Sequence, residues 1–354
     1  MRRLEGASPP TLAVRDMGSG DGDCRTPRKG ETVLTKKENY LIAARGGKPE
    51  WVPSFVEDAN VFLPPIWDMD EETGTDFCNV KWVFDEYGQM PDPNWRAMED
   101  VSDWREVIKF PDLAALDWGK LAADFHGEGY DPDKVDIAMA NTSGIFLIPV
   151  NMMGWVDGLC AIYEDPEELE ALVSALTDFL CELIGYFGTY LHPDIIFSGD
   201  DIAAGDGPLV SKEIWTSMYK PYFKKIADAI HAQGALAEFH CCGNNGYLIE
   251  EILDAGYDIC QLPVPNEDLL TDKERFGSKL VITGGWERHG DAGLPDASEE
   301  CVRASVRKAI DDFGADGGLI FWDGGIIGES EDSKNKMKWL MDELHVYGSQ
   351  VYQQ

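Results

Sequence analysis

The stretch ALAEFHCCGNNGYLIEEILDAGYDICQL, residues 235–262, contains one complete strand–helix–strand unit. An apolar run ends at His240, and the glycines and asparagines of residues 243–246 supply a turn. A helical pattern then continues to Gly256, and a second short apolar run ends at Gln261. Two strands that are joined by a helix lie parallel in one sheet, with a right-handed crossover. The stretch therefore predicts an α/β fold that is built on a parallel sheet.

The alternation of strand and helix repeats along the chain at intervals of about 30 to 40 residues. Seven strands are predicted, near residues 52–56, 136–141, 195–199, 235–240, 258–262, 279–284 and 317–322. The long apolar helices between them fit the outer ring of a closed barrel better than the two faces of an open sheet. Because no strand is followed by a glycine-rich phosphate-binding motif, an open sheet is the weaker alternative. We therefore expect a (β/α)8 TIM barrel, although the pattern does not identify its eighth strand.

Two segments near the N-terminus differ from this alternation. Residues 1–34 are rich in glycine, proline, serine and charge, and they predict a disordered extension ahead of a barrel domain at residues 35–354. Residues 58–110 are rich in aromatic residues, proline and glycine, and they have no long period. We expect them to form an elaborated loop region with a short hairpin near residues 80–84. Long loops in compact domains commonly cover sites or bind ligands.

The charge and composition of the chain limit its partners. Of its 354 residues, 65 are Asp or Glu and 30 are Lys or Arg, which gives a formal net charge of −35. Such a surface repels nucleic acid and anionic membranes, and no apolar run reaches the ~18 residues that span a bilayer. No export signal precedes the first predicted helix, so we expect a cytoplasmic protein whose eight cysteines are mostly thiols.

Polar or hydrogen-bonding residues stand at or just after the carboxyl ends of six predicted strands. They are Asn141, Asp200, Asp201, His240, Cys242, Gln261, Trp286, Glu287 and Asp323. In a TIM barrel these strand ends meet at one rim, and that rim carries the active site. Such residues at six strand ends, in phase with the strand pattern, favour an enzyme over a barrel without catalytic activity.

The predicted strand at 235–240 brings three potential metal ligands together. Side chains in a strand alternate between its two faces, so Glu238, His240 and Cys242 share one face while Cys241 takes the other. Oxygen, nitrogen and sulfur ligands of this kind bind zinc, and three protein ligands with one open position are typical of catalytic zinc. The alternatives are a redox-active cysteine pair, which the missing CxxC spacing disfavours, and a histidine that only makes hydrogen bonds.

The segment HCCGN, residues 240–244, followed by the helix and strand described above, resembles the H-x-C-G-N segment of the uroporphyrinogen decarboxylase superfamily. It is more specifically similar to the methyltransferase branch that serves corrinoid proteins. Other segments agree in order and spacing, so that the resemblance covers about residues 35–345; among them are TKKENYLIAARGGKPEWVPSF, TDFCNVKW, MGWVDGLCAIYEDPEEL and GGLIFWDGG. The resemblance implies a (β/α)8 barrel in which His240 and Cys242 are zinc ligands.

Two departures from the family pattern bear on function. The decarboxylases carry an arginine-rich motif that binds porphyrinogen carboxylates, whereas the stretch after the first predicted strand here is EDANVFLPPIWD, without arginine. Thiol-methylating relatives have a further cysteine after the last strand, whereas this chain has FWDGGII. Either a carboxylate from Glu238, Asp323, Asp200 or Asp201 completes the ligand set, or the site binds metal weakly. A harder site of this kind suits an oxygen substrate better than a thiol.

The expected function is methyl transfer from a small donor, preferably an aryl methyl ether, to the Co(I) corrinoid of a partner protein. Zinc on His240 and Cys242, with Glu238 as candidate third ligand, would polarise the ether oxygen. Alternatively, one of three carboxylic acids would protonate it, namely Asp200, Asp201 and Asp323. Aromatic and amide side chains would bind the donor: Asn141, Trp67, Phe77, Trp82, Gln261, Trp286 and Trp322. The rival functions are a zinc-dependent thiol methyltransferase, a decarboxylase-like lyase and a non-catalytic ligand-binding barrel.

Overall fold

The computed structural model describes residues 34–85, 88–324 and 330–353. Residues Thr35–Gln354 form one compact unit, which corresponds to the predicted barrel domain. The predicted disordered extension lies, apart from residue 34, outside the described residues.

A curled parallel sheet forms the centre of this unit. The described strands are β1 (Ala59–Phe62), β2 (Trp82–Asp85), β3 (Gly88–Pro91), β4 (Val135–Met139), β5 (Ile195–Gly199), β6 (Ala203–Ala204), β7 (Gly207–Pro208), β8 (Leu236–His240), β9 (Ile259–Gln261), β10 (Val281–Gly285) and β11 (Leu319–Trp322). Seven of these strands pair in the order β1–β4–β5–β8–β9–β10–β11, and every pairing is parallel. The other four form two short antiparallel hairpins outside the main sheet.

The two edges of the main sheet meet where β11 pairs with the segment that precedes β1. Ser54 forms a parallel bridge with Phe321, and the Phe321 N–H donates to the Pro53 carbonyl oxygen at 2.8 Å. One helical turn, Phe55–Asp58, then leads into β1. The ring is therefore closed, and the prediction of a TIM-barrel fold is confirmed.

Helices surround the sheet, as the alternating sequence pattern predicts. Those described are α1 (Lys36–Ala44), α2 (Phe55–Asp58), α3 (Trp104–Val107), α4 (Trp118–Phe125), α5 (Leu147–Met153), α6 (Trp155–Glu164), α7 (Pro166–Tyr190), α8 (Lys212–Ile214), α9 (Lys220–Ala232), α10 (Leu248–Ala255), α11 (Glu267–Phe276), α12 (Glu299–Phe313) and α13 (Glu331–Gly348). Among the described residues, α7 is long and apolar enough to cross a membrane by length and composition. Ten of its residues are buried in the protein, so α7 is a core helix of the outer ring.

Apolar side chains fill both the inside of the barrel and the space between strands and helices. Inside, Tyr40, Ala43 and Ala44 of α1 pack against the first inward residues of several strands, including Val135, Ile195, Ile259 and Val281. Helix α1 therefore covers the amino-terminal end of the barrel. The opposite end, where the strands finish, remains as the mouth.

The first predicted strand, at residues 52–56, is wrong in position. Ser54 caps helix α2 by accepting the Glu57 N–H at 3.2 Å, and the first ladder strand is β1, inside the stretch predicted as a loop. Pro53 has no N–H to donate, which limits this segment to a single bridge. The pattern also does not predict α11, although Asn266 caps it. The predicted hairpin is confirmed as β2–β3, a few residues further along the chain.

Candidate functional site

Strand β8 points alternate side chains into the barrel and towards the surrounding helices, as its period of two predicts. Phe239 and Cys241, each 1% exposed, pack among the outer apolar residues. Glu238 instead lies inside the barrel, where Thr283 Oγ1 on β10 donates to its carboxylate at 2.6 Å. His240 follows on the same face as Glu238, at the mouth. The strand geometry thus separates Cys241 from the side chains that face the mouth.

Asp201, His240 and Cys242 come together at this mouth. Cys242 Sγ lies 3.4 Å from His240 Nε2, and Asp201 Oδ1 lies 3.7 Å from the same nitrogen. The candidate ligand atoms of all three side chains lie within 4.8 Å of one another. The Cys242 backbone N–H holds Asp201 in place by donating to Oδ1 at 2.9 Å.

The spacing of these atoms fits a zinc ion. Bonds of about 2.0 to 2.3 Å to zinc, in a tetrahedral arrangement, place neighbouring ligand atoms about 3.3 to 3.8 Å apart. The distances from His240 Nε2 to Cys242 Sγ and to Asp201 Oδ1, 3.4 and 3.7 Å, lie within this range. Nitrogen, sulfur and oxygen are also the ligand atoms that zinc takes from proteins. The two spacings from His240 Nε2 and the types of ligand atom thus suit zinc, and the third pair, Asp201 with Cys242, lies within 4.8 Å.

Glu238, the third ligand expected from the sequence, lies deeper in the barrel than this group. Its carboxylate is fully buried and is bonded to Thr283. Burial raises the pKa of Glu238 to about 7, although hydrogen bonds from Thr283 and Gln261 act in the opposite direction. The carboxylate that stands beside His240 and Cys242 is that of Asp201.

Gln261 of β9 orients the imidazole ring of His240. Gln261 Oε1 lies 2.8 Å from His240 Nδ1. Because an amide oxygen can only accept, Nδ1 carries the proton and Nε2 keeps its lone pair. At the other end of the amide, Gln261 Nε2 is buried without a hydrogen-bond partner among the described residues, as is Glu238 Oε2, and Gln261 acts to lower the pKa of Glu238. Two hydrogen-bonded pairs, Thr283 with Glu238 and Gln261 with His240, thus form a polar group across three strands.

The thiol of Cys242 is protonated at neutral pH unless a metal ion binds it. Burial and, to a smaller extent, the charge of Asp201 raise the pKa of Cys242 to about 12, whereas Arg288 acts to lower it. A metal ion binds the thiolate and must displace this proton, so binding releases a proton and strengthens as the pH rises.

The sequence matches the uroporphyrinogen decarboxylase (URO-D) family over residues 132–346, which is more than half of the chain. The chain belongs to this family. A solved structure of a methyltransferase from Methanosarcina mazei has the same fold, with a TM-score of 0.62 and 14% sequence identity over 89% of this chain and 99% of that chain. A citrate synthase variant matches with a TM-score of 0.27 and 8% identity over 48% of this chain and 69% of that chain, which is too low to indicate a shared fold. Among curated proteins, none matches this sequence.

Asp200 and Asp323, two further predicted catalytic acids, are both buried in this URO-D barrel, at 2% and 4% exposure. Asp200 Oδ2 and Oδ1 accept the backbone N–H groups of Phe146 and Leu147 at 2.6 and 3.0 Å. A Cβ at Gly144 would lie 2.2 Å from Asp200 Cγ, so only glycine permits this approach. Burial raises the pKa of Asp200 well above its usual range, against these two hydrogen bonds. Asp200 therefore caps the start of α5, and Asp323 is the buried acid that directly follows β11.

Asn141 and Trp67, both predicted to bind substrate, hold the end of β4. Both ends of the Asn141 amide bond to the Gly199 backbone. Asn141 Nδ2 donates to the Gly199 carbonyl oxygen, and Asn141 Oδ1 accepts the Gly199 N–H at 3.2 Å. Trp67 Nε1 donates to the Ala140 carbonyl oxygen at 3.1 Å. The polar groups of both side chains are hydrogen-bonded to backbone atoms at the rim. The ring face of Trp67 is therefore the part that could contact a ligand.

Phe77 and Trp82, also predicted to bind substrate, stabilise the elaborated loop region. The Phe77 ring lies 5.4 Å from Phe179 of α7 and 6.0 Å from Phe110, measured between centroids. Trp82 Nε1 donates to Asp76 Oδ2 at 2.8 Å. These contacts anchor the loop region on α7 and on itself, so the two rings act in packing.

Trp286 and Trp322 take opposite sides of the barrel wall. Val281 and Thr283 of β10 face the barrel interior, whereas Ile282 packs in the outer core. Trp286 lies on the same outer side as Ile282, where it is 4% exposed and donates to Ser305 Oγ of α12 at 2.7 Å. Trp322 ends β11 and lies 4.6 Å from the Phe55 ring, which packs against the barrel interior. Of the predicted aromatic residues, Trp322 remains the one on an inner strand position.

Arg288 is a residue of the mouth that the sequence pattern does not single out. It stands three residues beyond β10, and its Nη1–H donates to the Gly324 carbonyl oxygen at 2.9 Å. Its charge acts on Cys242 by lowering the thiol pKa. The signal that could have found it is its position in GGWERHG, because its neighbours Trp286 and Glu287 are recognised as strand-end residues.

An acidic cleft lies within the loop region, beside Trp67. Its volume is about 530 Å³, and four carboxylates line it, those of Asp68, Asp70, Glu72 and Asp76. Like charges in one cleft repel an anion, so this cleft is unsuited to a negatively charged ligand.

Proposed function

We propose that this protein is a methyltransferase that moves a methyl group from an aryl methyl ether to the reduced corrinoid of a partner protein. The observation that carries the proposal is the meeting of Asp201, His240 and Cys242 at the barrel mouth, within 4.8 Å of one another. Membership of the URO-D family and the shared fold with a methyltransferase from Methanosarcina mazei support it.

The ligand set would hold zinc and expose one position to the ether oxygen of the donor. Bound there, zinc supplies Lewis acidity, which polarises that oxygen and makes it a better leaving group. His240 presents Nε2 because Gln261 holds Nδ1, and Asp201 replaces the second thiolate of thiol-methylating relatives. A carboxylate makes the site harder than a second thiolate would, and a harder site favours oxygen over sulfur.

The transfer breaks the bond between the methyl carbon and the ether oxygen, and the electron pair of that bond stays on oxygen. The methyl group passes to the cobalt of the corrinoid, and a proton completes the phenol. Asp323 is the candidate proton donor, since Asp200 is committed to capping α5. Trp322, packed against Phe55, offers an aromatic surface for the ring of the donor.

The mouth is open enough for a partner to approach. The side chain of Asp201 is 42% exposed and that of His240 is 20% exposed. A corrinoid is too large to enter a filled TIM barrel, so it would reach the methyl group from above the rim, on its own protein.

The experiment measures methyl transfer from a panel of methoxybenzenes to free cob(I)alamin. The absorbance change that accompanies methylcobalamin formation reports the transfer. Zinc content is measured on the same preparations. His240→Ala and Cys242→Ala are expected to lose zinc and activity together. Cys301→Ala is the matched control, because Cys301 lies on the outer helix α12.

Two results would contradict the proposal. The first is full activity of His240→Ala and Cys242→Ala without zinc, which would show that the metal has no role in the reaction. The second is no turnover of any methyl ether by folded, zinc-loaded protein, which would favour a ligand-binding barrel. Turnover of methylcobalamin with a small thiol, but not of ethers, would instead support the thiol methyltransferase.

A further inference from the structure

We propose that the turn of residues 243–246 and helix α11 together bind one hard divalent cation, Ca²⁺ in preference to Mg²⁺. The protein ligands are the carboxylates of Asp268 and Asp272 and the amide oxygen of Asn245. This site is separate from the group at the barrel mouth, and methyl transfer does not require it. Three features carry the inference: a pocket of ionic size, a buried oxygen without a partner, and two unpaired carboxylates.

A small pocket lies between this turn and the first two turns of α11. Its volume is about 10 Å³, which is roughly the room that a single water molecule or ion needs. The pocket is therefore too small for an organic ligand. Polar side chains make up half of its lining, and all of them carry oxygen: Asn244, Asn245, Asn266, Asp268 and Asp272.

Asn245 presents an oxygen to this pocket. The residue is 4% exposed, and its Nδ2 donates to the Cys241 carbonyl oxygen at 3.2 Å. Because a carbonyl oxygen can only accept, this bond fixes the orientation of the amide and leaves Oδ1 as its free end. Oδ1 accepts no hydrogen bond from any described residue, and the start of α10 has no side-chain cap that would use it. A buried oxygen of this kind needs a donor or a cation beside it.

Two carboxylates of α11 line the same pocket without a partner. Asp268 and Asp272 are four residues apart, so they lie on one face of the helix, where like charges repel each other. Neither side chain forms an ion pair or accepts a hydrogen bond within the described part of the chain. Burial raises the pKa of Asp272, Arg275 lowers it, and the charges of Asp268 and Glu250 raise it further.

The basic residues of α11 do not neutralise this pair. Arg275 Nη2 donates to Glu250 at 2.7 Å, and the buried Lys273 donates to two backbone carbonyl oxygens in the core. The dipole of α11 favours negative charge in its first turn, which accounts for Asp268. It does not account for Asp272, which lies in the second turn and is half-buried.

The ligand atoms and their charge select the occupant. Asn245, Asp268 and Asp272 offer three acceptors, whereas a water molecule has only two protons to donate. Two carboxylates balance the charge of a divalent cation, and oxygen ligands suit Ca²⁺ or Mg²⁺ rather than zinc. Mg²⁺ requires a nearly ideal octahedron, whereas Ca²⁺ accepts irregular ligand positions such as one helix face and one turn. Solvent would complete the coordination, since Asp268 is exposed.

Such a cation would join α11 to the turn that directly follows Cys242. The two segments are already linked by one backbone hydrogen bond, from the Val264 N–H to the Gly243 carbonyl oxygen at 2.9 Å. Ca²⁺ is therefore expected to raise the midpoint of thermal denaturation, because it binds the folded chain and not the unfolded one.

The test is isothermal titration of the full chain, freed of bound calcium on a chelating resin, with CaCl₂ and separately with MgCl₂. A salt concentration of about 0.15 M screens general attraction to the acidic surface. The wild-type protein is expected to bind one Ca²⁺, at least about tenfold more tightly than Mg²⁺. Asp272→Asn is expected to weaken Ca²⁺ binding by at least about tenfold. Glu267→Gln is the matched control, because it removes the same charge beside Asp268 but does not line the pocket.

Asp268→Asn is a second variant, at an exposed position, and it keeps the test valid if Asp272→Asn fails to fold. It is expected to weaken Ca²⁺ binding as well, and neither variant should retain the rise in the denaturation midpoint.

Four results would overturn the inference. The first is no saturable Ca²⁺ binding by the folded wild-type protein, which would leave the pocket to water. The second is an equal loss in Asp272→Asn and Glu267→Gln, which would indicate general attraction to acidic residues. The third is binding that Asp201→Asn removes and Asp272→Asn does not, which would place the ion at the mouth. The fourth is tighter binding of Mg²⁺ than of Ca²⁺.

Discussion

Gln261 Oε1 lies 2.8 Å from His240 Nδ1, and this contact decides which nitrogen of the imidazole faces Cys242 and Asp201. The register of the sheet makes the contact, since His240 and Gln261 are direct partners across β8 and β9. Neighbours that fix a histidine in this way commonly change metal affinity as much as a weak ligand does.

Replacing Gln261 by leucine is expected to weaken zinc binding by about ten- to a hundredfold, because the imidazole loses its fixed tautomer and orientation. Competition with a chromophoric chelator measures the affinity. Gln233→Leu is the control, since Gln233 is exposed at the end of α9. Unchanged affinity, together with an unchanged 15N signature of the His240 tautomer, would rule out the positioning role of Gln261.

Asp201 and Glu238 can be distinguished as third ligands by matched amide substitutions. Asp201→Asn is expected to lower zinc affinity by at least about tenfold, since the carboxylate charge is lost while an oxygen remains for the Cys242 N–H. Glu238→Gln is expected to change affinity less, because Glu238 lies deeper, on Thr283. Asp206→Asn, at the exposed turn between β6 and β7, controls for charge alone. A larger loss of zinc affinity in Glu238→Gln than in Asp201→Asn would indicate that Glu238 is the third ligand.

Asp200 is expected to contribute to stability more than an exposed helix cap does. Asp200→Ala leaves two N–H groups at the start of α5, one buried and one partly buried, without acceptors, which costs about 2 kcal/mol or more of unfolding free energy. Asp117→Ala removes the exposed cap of α4 and is expected to cost about 1 kcal/mol. Urea denaturation measures both. An Asp200→Ala loss no larger than that of Asp117→Ala would show that burial adds nothing to this cap.

The His345–Glu57 contact joins α13 to α2 and is expected to make stability depend on pH. The hydrogen bond to Glu57 raises the pKa of His345 above 6.5, so its stabilisation is complete below about pH 6.5 and is lost as the pH rises. Burial alone would raise the pKa of Glu57, but His345 and Lys36 hold it below 4.5, so its stabilisation is lost as the pH falls. The contribution is therefore largest between about pH 4.5 and 6.5.

His345→Gln is accordingly expected to destabilise the protein at pH 5.5 and to have little effect at pH 8.5. The loss stays below about 1 kcal/mol, because both side chains are more than a third exposed. Urea denaturation at the two pH values tests this. Glu57→Gln should produce the same profile, and the double variant should add nothing further. Equal losses at both pH values would mean that the contact acts through packing instead.

Much of the barrel could be predicted because its signals are local. Asp165 and Pro166 mark the start of α7, Ser298 marks the start of α12, and alternation along β8 separates Cys241 from Cys242. Family membership followed from the segment around HCCGN and is confirmed. These features depend on residues that are close in sequence, so they need no knowledge of which strands are neighbours.

The details of the site depend on contacts between strands that the sequence does not align. Asp200 caps α5 through the Phe146 N–H, 54 residues away in the chain. This contact buries Asp200, so it is not an exposed acid at the mouth. Asp201 meets His240 only because β5 pairs with β8, with Gly199 opposite His240. Trp286 was expected at the mouth, but it lies on the outer side of the wall, as Ile282 of β10 does, and bonds to α12. The register between strands has no signature in spacing alone.

The single bridge between Ser54 and Phe321 makes the barrel wall uneven in strength. Of the seven paired strands, β8 is the middle one, with three strands on either side. If amide exchange reports local opening, it should therefore be fastest at this seam and slowest around His240. The wall can then open locally on the side away from the candidate metal ligands, while the distances among Asp201, His240 and Cys242 stay constant.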